Sequence, residues 1–116
     1  MQFKLIVTLV DDAKVNDVLK AARDAGATGA TVITSGRGEG LRPAKTFFGL
    51  DLSSVRDMVL FVVEEHLSRQ IMERIADVAG FETEPGSGIA FQIAIEDAIG
   101  LQSQIELLSK RIEDQI

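Results

Sequence analysis

The chain contains no cysteine, which excludes structural disulfides, thiolate metal sites and a cysteine nucleophile. Its single histidine, His66, leaves too few imidazoles for a polyhistidine zinc site within one chain. No apolar run approaches the ~20 residues of a membrane-spanning helix, and residues 1–10 lack the basic-then-apolar layout of a secretory signal. A cytoplasmic protein without direct membrane insertion is the expectation. Cations are in deficit as well, with 12 Lys and Arg against 18 Asp and Glu and a net charge of −6. Sequence-independent nucleic-acid binding rests on neutralising many phosphates, so nucleic acid is not an expected partner. What is present suits an ordinary globular domain: 116 residues, 46% hydrophobic and 26% charged, enough to bury a core without cross-links or metal.

Residues 3–10 are almost entirely apolar, with Phe3, Leu5, Val7 and Leu9 on one face and Ile6 and Val10 on the other. A strand apolar on both faces belongs inside a sheet. Asp11 and Asp12 are candidate caps for a helix whose apolar positions Val15, Val18, Leu19 and Ala22 recur at helical spacing, and Gly26 is its stop. Residues 30–34 read as a second strand. Residues 45–50 form a short extended piece carrying Phe47 and Phe48, and the turn-prone Asp51, Ser53 and Ser54 separate it from a strand over residues 57–64. Leu67, Ile71, Ile75 and Val78 mark a second helix closed by Gly80. Ile89, Phe91, Ile93 and Ile95 then alternate with Ala90, Gln92 and Ala94, the pattern of a strand with one face in the core.

Strand, helix, strand, loop, strand, helix, strand is the layout of two βαβ halves. It predicts an α+β fold, the ferredoxin-like split βαβ arrangement (βαββαβ), with a four-stranded antiparallel sheet and both helices on one face. The other face is left bare, and an oligomer partner is the economical cover. Residues 1–97 form this domain, with a loop over about residues 36–56. Residues 98–116 form an extra C-terminal amphipathic helix, in which Ala98, Leu101, Ile105, Leu108 and Ile112 make a heptad-like seam about two heptads long.

Two glycine-rich segments are the candidate binding elements. Gly36, Gly38 and Gly40 alternate with Arg37 and Glu39, and Arg42 and Lys45 follow, so that the stretch 36–45 carries three cations against one anion in an acidic chain. The second segment is Pro85-Gly86-Ser87-Gly88. Successive backbone N–H groups in such turns can cradle an anion, and glycine lets a phosphate approach the main chain. Neither segment sits between a strand and a directly following helix, so neither matches the phosphate-loop or dinucleotide fingerprints. Glu64, Glu65 and His66 offer carboxylate and imidazole groups, but at the start of the second helix negative charge is explained by the macrodipole. No second histidine or nucleophile accompanies them, and Ser35, Ser53 and Ser54 have no identifiable base. Phe47 and Phe48 fit a partner-binding tip or inter-subunit packing.

With these elements placed, the sequence resembles the P-II-like signalling family over about residues 3–99. The resemblance is carried by DAGATGATVI followed by Gly36-Arg37-Gly38, by the Val62-Val63 strand end leading into the second helix, and by PGSGIAFQIAIEDAI. It implies a regulatory protein rather than an enzyme, a homotrimer of ferredoxin-like subunits whose bare sheet faces meet at the centre. It further implies clefts between subunits that bind an adenine nucleotide (ATP, ADP or AMP) and a loop that engages a partner, often a membrane transporter. On the matching positions, Thr31 contacts adenine and Val62 lines its pocket; Gly36, Arg37 and Gly38 form the loop base that meets the phosphates; Gly86, Ser87 and Gly88 form the second phosphate segment. Arg42, Lys45, Phe47 and Phe48 fall in the partner loop.

The chain departs from that pattern where phosphate is held. The lysine expected after the second glycine segment is Ile89, and the two arginines expected after the last strand fall at Gly100 and Gln102. Each charge-assisted contact is worth roughly 1.5–3 kcal/mol, so tight triphosphate binding by the usual mechanism is not expected. There is no tyrosine, which excludes the family's tyrosine uridylylation. Two alternatives use the same scaffold: a nucleotide-independent protein interaction module, and a metal-binding trimer resembling the CutA copper-tolerance family. The missing cysteines and single histidine count against the second, and no metal is expected.

Overall fold

In a computed structural model, residues 2–36, 46–47, 50–51 and 56–101 are described. The chain forms β1 (Phe3–Asp11), a 3-10 turn (Asp12–Lys14), α1 (Val15–Asp24), β2 (Thr31–Gly36), β3 (Thr46–Phe47), β4 (Leu50–Asp51), β5 (Arg56–Glu64), α2 (Glu65–Ala79) and β6 (Gly88–Ala94). Four strands make one antiparallel sheet in the order β2-β5-β1-β6. This is the ferredoxin-like arrangement that the βαβ repeat predicts.

The two strands apolar on both faces, β1 and β5, are the two central ones, paired in register from Phe3 with Glu64 to Asp11 with Arg56. One face of this pair carries Ile6, Thr8, Val10, Val59, Phe61 and Val63, all buried. Against it pack Val15, Val18 and Ala22 of α1 and Ile71, Ile75 and Ala79 of α2. Each large aliphatic or aromatic side chain sealed here contributes roughly 1.5–3 kcal/mol of transfer free energy. Thr8 and Asp57, the strand partner of Val10, are buried polar residues on this face, and the Thr8 hydroxyl makes no hydrogen bond.

The helix ends differ from expectation at one terminus. Asp11 ends β1, Asp12 starts a 3-10 turn, α1 begins only at Val15, and neither helical start has a side-chain cap hydrogen bond. The extra tight turn absorbs the residues that a single cap was expected to serve. α2 is capped by Glu64, whose carboxylate accepts from the His66 N–H at 2.8 Å. It ends at Gly80, in the left-handed conformation at φ 72° that a side chain would strain. Within residues 45–50, read as one extended piece, Thr46, Phe47 and Leu50 instead lie in two short antiparallel strands, β3 paired with β4, the latter including Asp51. No helix is present over residues 95–101, so the C-terminal seam does not begin at Ala98 as predicted, and its later positions lie outside the described residues.

Among the described residues no helix lies over the second sheet face. By register it carries Phe3, Leu5, Val7 and Leu9 of β1, Met58, Leu60 and Val62 of β5, Ile89, Phe91 and Ile93 of β6, and Thr31 and Ile33 of β2. Here the alternation in β6 points opposite to expectation. Its apolar residues share a face with Leu5, Val7 and Leu9, while Gly88, Ala90, Gln92 and Ala94 share the helix side with Ile6 and Thr8. Phe91 and Ile93 are 39% and 50% exposed. The physical reason is close packing on the helix side: a Cβ at Gly88 would lie 2.4 Å from Phe81 Cε1 and 2.6 Å from the Leu9 carbonyl oxygen. A backbone oxygen cannot rotate away as a side chain can. Gly88→Ala is therefore expected to cost about 2 kcal/mol or more. Gly29→Ala, whose Cβ meets nothing within 4 Å, should stay within about 0.5 kcal/mol of the native chain. Urea unfolding of both variants at one fixed protein concentration checks the pair.

Candidate functional site

The α1 to β2 connection folds back on α1, the Gly26 N–H donating to the Arg23 carbonyl at 3.0 Å and the Ala27 N–H to the Ala22 carbonyl at 2.9 Å. From α2, the Gln70 side-chain amide donates to the Ala25 carbonyl at 2.9 Å. These bonds fix where residues 28–31 run along the free edge of the sheet. They form the rim of a groove of about 490 Å³ whose floor is Leu5, Leu60 and Val62 of the uncovered face. Thr31 and Val62, far apart in sequence, thus line one groove. Among the described residues no charged one lines it, and its polar side chains there are the Thr28 and Thr31 hydroxyls. Apolar walls with a few hydroxyls suit a flat, uncharged ring system. A second groove of about 410 Å³ lies beside the same rim and is lined by Arg23, Leu19, Val32 and Phe61.

The two glycine segments reach the same end of the sheet but opposite edges. Gly36 ends β2, opposite Arg56 of β5, and Gly88 opens β6, opposite Val10 of β1. With β5 and β1 between them, three strand spacings separate the edges by roughly 14 Å.

The second segment is braced from within. The Gly80 carbonyl accepts from the Glu84 N–H at 2.8 Å, the Thr83 N–H at 3.2 Å and the Ser87 hydroxyl at 3.0 Å, and the Ser87 N–H donates to the Glu84 carbonyl at 3.1 Å. Both donors of Ser87 are thus spent inside the turn, where sequence reasoning offered them to an anion. Lys14 completes the brace, its Nζ donating to the Ala79 carbonyl at 2.7 Å and to Glu84 Oε2 at 2.8 Å. One ammonium therefore satisfies the end of α2 and ties the start of α1 to the turn. Nothing local in the sequence marks Lys14, because its partners lie 65 and 70 positions away.

Glu64, Glu65 and His66 are, among the described residues, a group whose candidate ligand atoms lie within 4.8 Å of one another. Glu64 is already engaged: one oxygen accepts from the His66 backbone, and the other contacts His66 Nδ1. A helix N-terminus also disfavours a cation. The hydrogen bond to Glu64 raises the pKa of His66 from its ordinary 6.5, helped by the charges of Glu64 and Glu65 and opposed by desolvation. His66 remains largely in solvent, so the cluster reads as a helix cap.

Gly36 ends β2, and Phe47 lies in β3. Arg37, Gly38, Arg42, Lys45 and Phe48 lie outside the described residues. Among the described residues no helix is long and apolar enough to cross a membrane.

The profile of the nitrogen regulatory protein P-II family matches residues 3–104. No curated protein sequence matches the chain. Among solved structures, the chain is similar to CPII of Thiomonas intermedia K12 bound to ADP, AMP and acetate, with a TM-score of 0.66 at 19% identity over 87% of this chain and 93% of that one. It is also similar to the Bacillus subtilis GlnK–ATP complex, with a TM-score of 0.67 at 21% identity over 88% and 89% of the two chains. A PII-like signaling protein of Thermus thermophilus gives a TM-score of 0.61 at 17% identity over 82% and 87%. At these identities the structural likeness speaks for the fold.

The Glu64 cap has a pH signature. Because the folded pKa of His66 is raised, the stability it contributes is fully present below 6.5 and is lost as pH rises through the folded value. Glu64→Gln keeps a capping oxygen but removes the charge. An NMR titration of this variant should show His66 returning toward 6.5, with the loss of stability above that pH flattened.

Proposed function

Because this chain belongs to the nitrogen regulatory protein P-II family, we propose that it is a regulatory protein that senses an adenine nucleotide between subunits of a homotrimer. The observation that carries this reading is a mismatch of places. Thr31 and Val62 line an uncharged groove beside β2, on the bare face, while the second glycine segment lies on the opposite edge of the same sheet. One subunit cannot close a ligand between the two. A ring of subunits can, by setting the β2 edge of one copy against the β6 edge of the next. The same ring buries Phe91, Ile93 and Ile33, whose exposure in a single chain is otherwise unfavourable.

In this reading the groove takes the adenine, and Gly36, Arg37 and Gly38 meet phosphate. Gly86 and Gly88 close the site from the neighbouring copy, and Ser87 shapes that turn through its bonds to Gly80 and Glu84. Arg42, Lys45, Phe47 and Phe48, within residues 36–56, present ligand status to a protein partner, for which a membrane transporter is the working choice. The structural neighbours CPII and GlnK, captured with ADP and AMP or with ATP, support the choice of ligand class.

Isothermal titration calorimetry with ATP, ADP and AMP tests the sensor. At least one should bind, and Arg37→Ala should weaken it about tenfold or more, the worth of one charge-assisted contact. No heat with any of the three would sink nucleotide sensing.

A further inference from the structure

We infer that Lys14 is a positioning residue for the ligand site, acting through the Gly86–Gly88 turn rather than on the ligand. This inference rests on the ring proposed above, in which that turn closes the site of the next copy, and adds the residue that sets the turn's shape. The first observation is a side chain misplaced by local rules. Lys14 ends the 3-10 turn and occupies the N-cap of α1, where it makes no side-chain cap hydrogen bond. Ser, Thr, Asp and Asn are preferred at that position, and a helix start disfavours a cation. A residue that breaks a local rule is expected to be compensated elsewhere.

The second observation is where that compensation lies. Lys14 Nζ donates to the Ala79 carbonyl at 2.7 Å and to Glu84 Oε2 at 2.8 Å. α2 has no basic residue in its own last turn, so the cation that favours its carbonyl end comes from the start of α1. The Lys14 side chain is 28% exposed, and bonds donated by a partly shielded cation are stronger than those between neutral groups. The same contact fixes Glu84 at the head of the turn. The Glu84 N–H donates to the Gly80 carbonyl at 2.8 Å, and the Glu84 carbonyl accepts from the Ser87 N–H at 3.1 Å. The Ser87 hydroxyl returns to the Gly80 carbonyl at 3.0 Å, and Gly86 is left-handed at φ 76°.

The third observation is how the turn is held at its two ends. Glycine leaves many backbone conformations open, so the shape of this turn depends on its flanks. At the far end, Gly88 pairs with Val10 of β1. At the near end, Lys14 supplies a tertiary hold on Glu84 from outside the turn. Val10 and Lys14 belong to one run of backbone, residues 10–14, that leaves β1 and enters α1. That single run therefore grips both ends of the turn. Releasing Lys14 frees the leading half while the β6 pairing and the buried core stay in place. Such a change alters the wall that the turn offers to the next copy without unfolding the subunit.

Lys14→Met, Lys14→Arg and Val18→Ala in the full chain test this. Without ligand, amide exchange at Glu84 and Ser87, followed by NMR, should quicken about threefold or more in Lys14→Met and stay near native in Lys14→Arg, which keeps a donor cation. Calorimetry with AMP, ADP and ATP should show Lys14→Met weakening each nucleotide that the native chain binds by about threefold or more, with Lys14→Arg within about twofold of native. Val18→Ala removes packing from the core side of α1. It should unfold at lower urea yet bind as the native chain does, which separates lost stability from a displaced turn. Native affinity in Lys14→Met, an equal loss in Val18→Ala, or unchanged exchange at Glu84 and Ser87 would each overturn the inference while leaving nucleotide sensing in place. A native chain that binds none of the three nucleotides would overturn the adenine reading itself and this inference with it.

Discussion

The fold turns on a four-stranded sheet that has, among the described residues, two helices to cover it. α1 and α2 seal one face, where Ile6, Val10, Val59 and Phe61 are almost wholly out of water. Between Leu5 and Leu9 of β1 and their register partners the other face is largely apolar, with Thr31 the polar member of that stretch. A core of this kind holds a single subunit together through one face. It leaves a surface that water disfavours and that copies of the chain can cover. The groove at Thr31 and Val62 opens on that uncovered face, so the proposed ligand site and the proposed assembly draw on the same surface. In the proposed ring, a ligand between two edges would stabilise assembly, and assembly would complete the ligand site.

The second glycine turn shows how the fold trades ligand-binding donors for rigidity. Gly88 admits Phe81 and the Leu9 carbonyl at distances a Cβ would not tolerate. Lys14 and Ser87 then hold the turn to the ends of both helices. A turn of flexible glycines could rearrange around phosphate, whereas this one has its hydrogen bonds largely made.

Much of this was legible in the sequence, because hydrophobic periodicity reports burial directly. Strands apolar on both sides took the centre of the sheet, and Gly80 ended α2 as its position implied. The β6 alternation was legible as a strand but not as to which face it offers, since periodicity cannot distinguish the core of one subunit from a surface covered by another. The Asp11–Asp12 cap was misplaced because local preference does not foresee a 3-10 turn. Thr31 and Val62, named through resemblance as an adenine contact and its pocket wall, share a groove through the register of β2, β5 and β1. Lys14 and the inward bonds of Ser87 were invisible, as both depend on tertiary contacts. The same holds for Glu64, where charge at a helix start was read as complementing the macrodipole, while its cap on the His66 N–H needs coordinates.

The central claim is that the uncovered face is an interface among three copies and that the ligand site spans them. Sedimentation equilibrium on the purified chain, without ligand and over a wide range of protein concentration, tests it most directly. The expected result is a single species of three 12.6 kDa chains, dissociating when Phe91 is replaced by Asp. A well-folded monomer at every concentration would contradict the account.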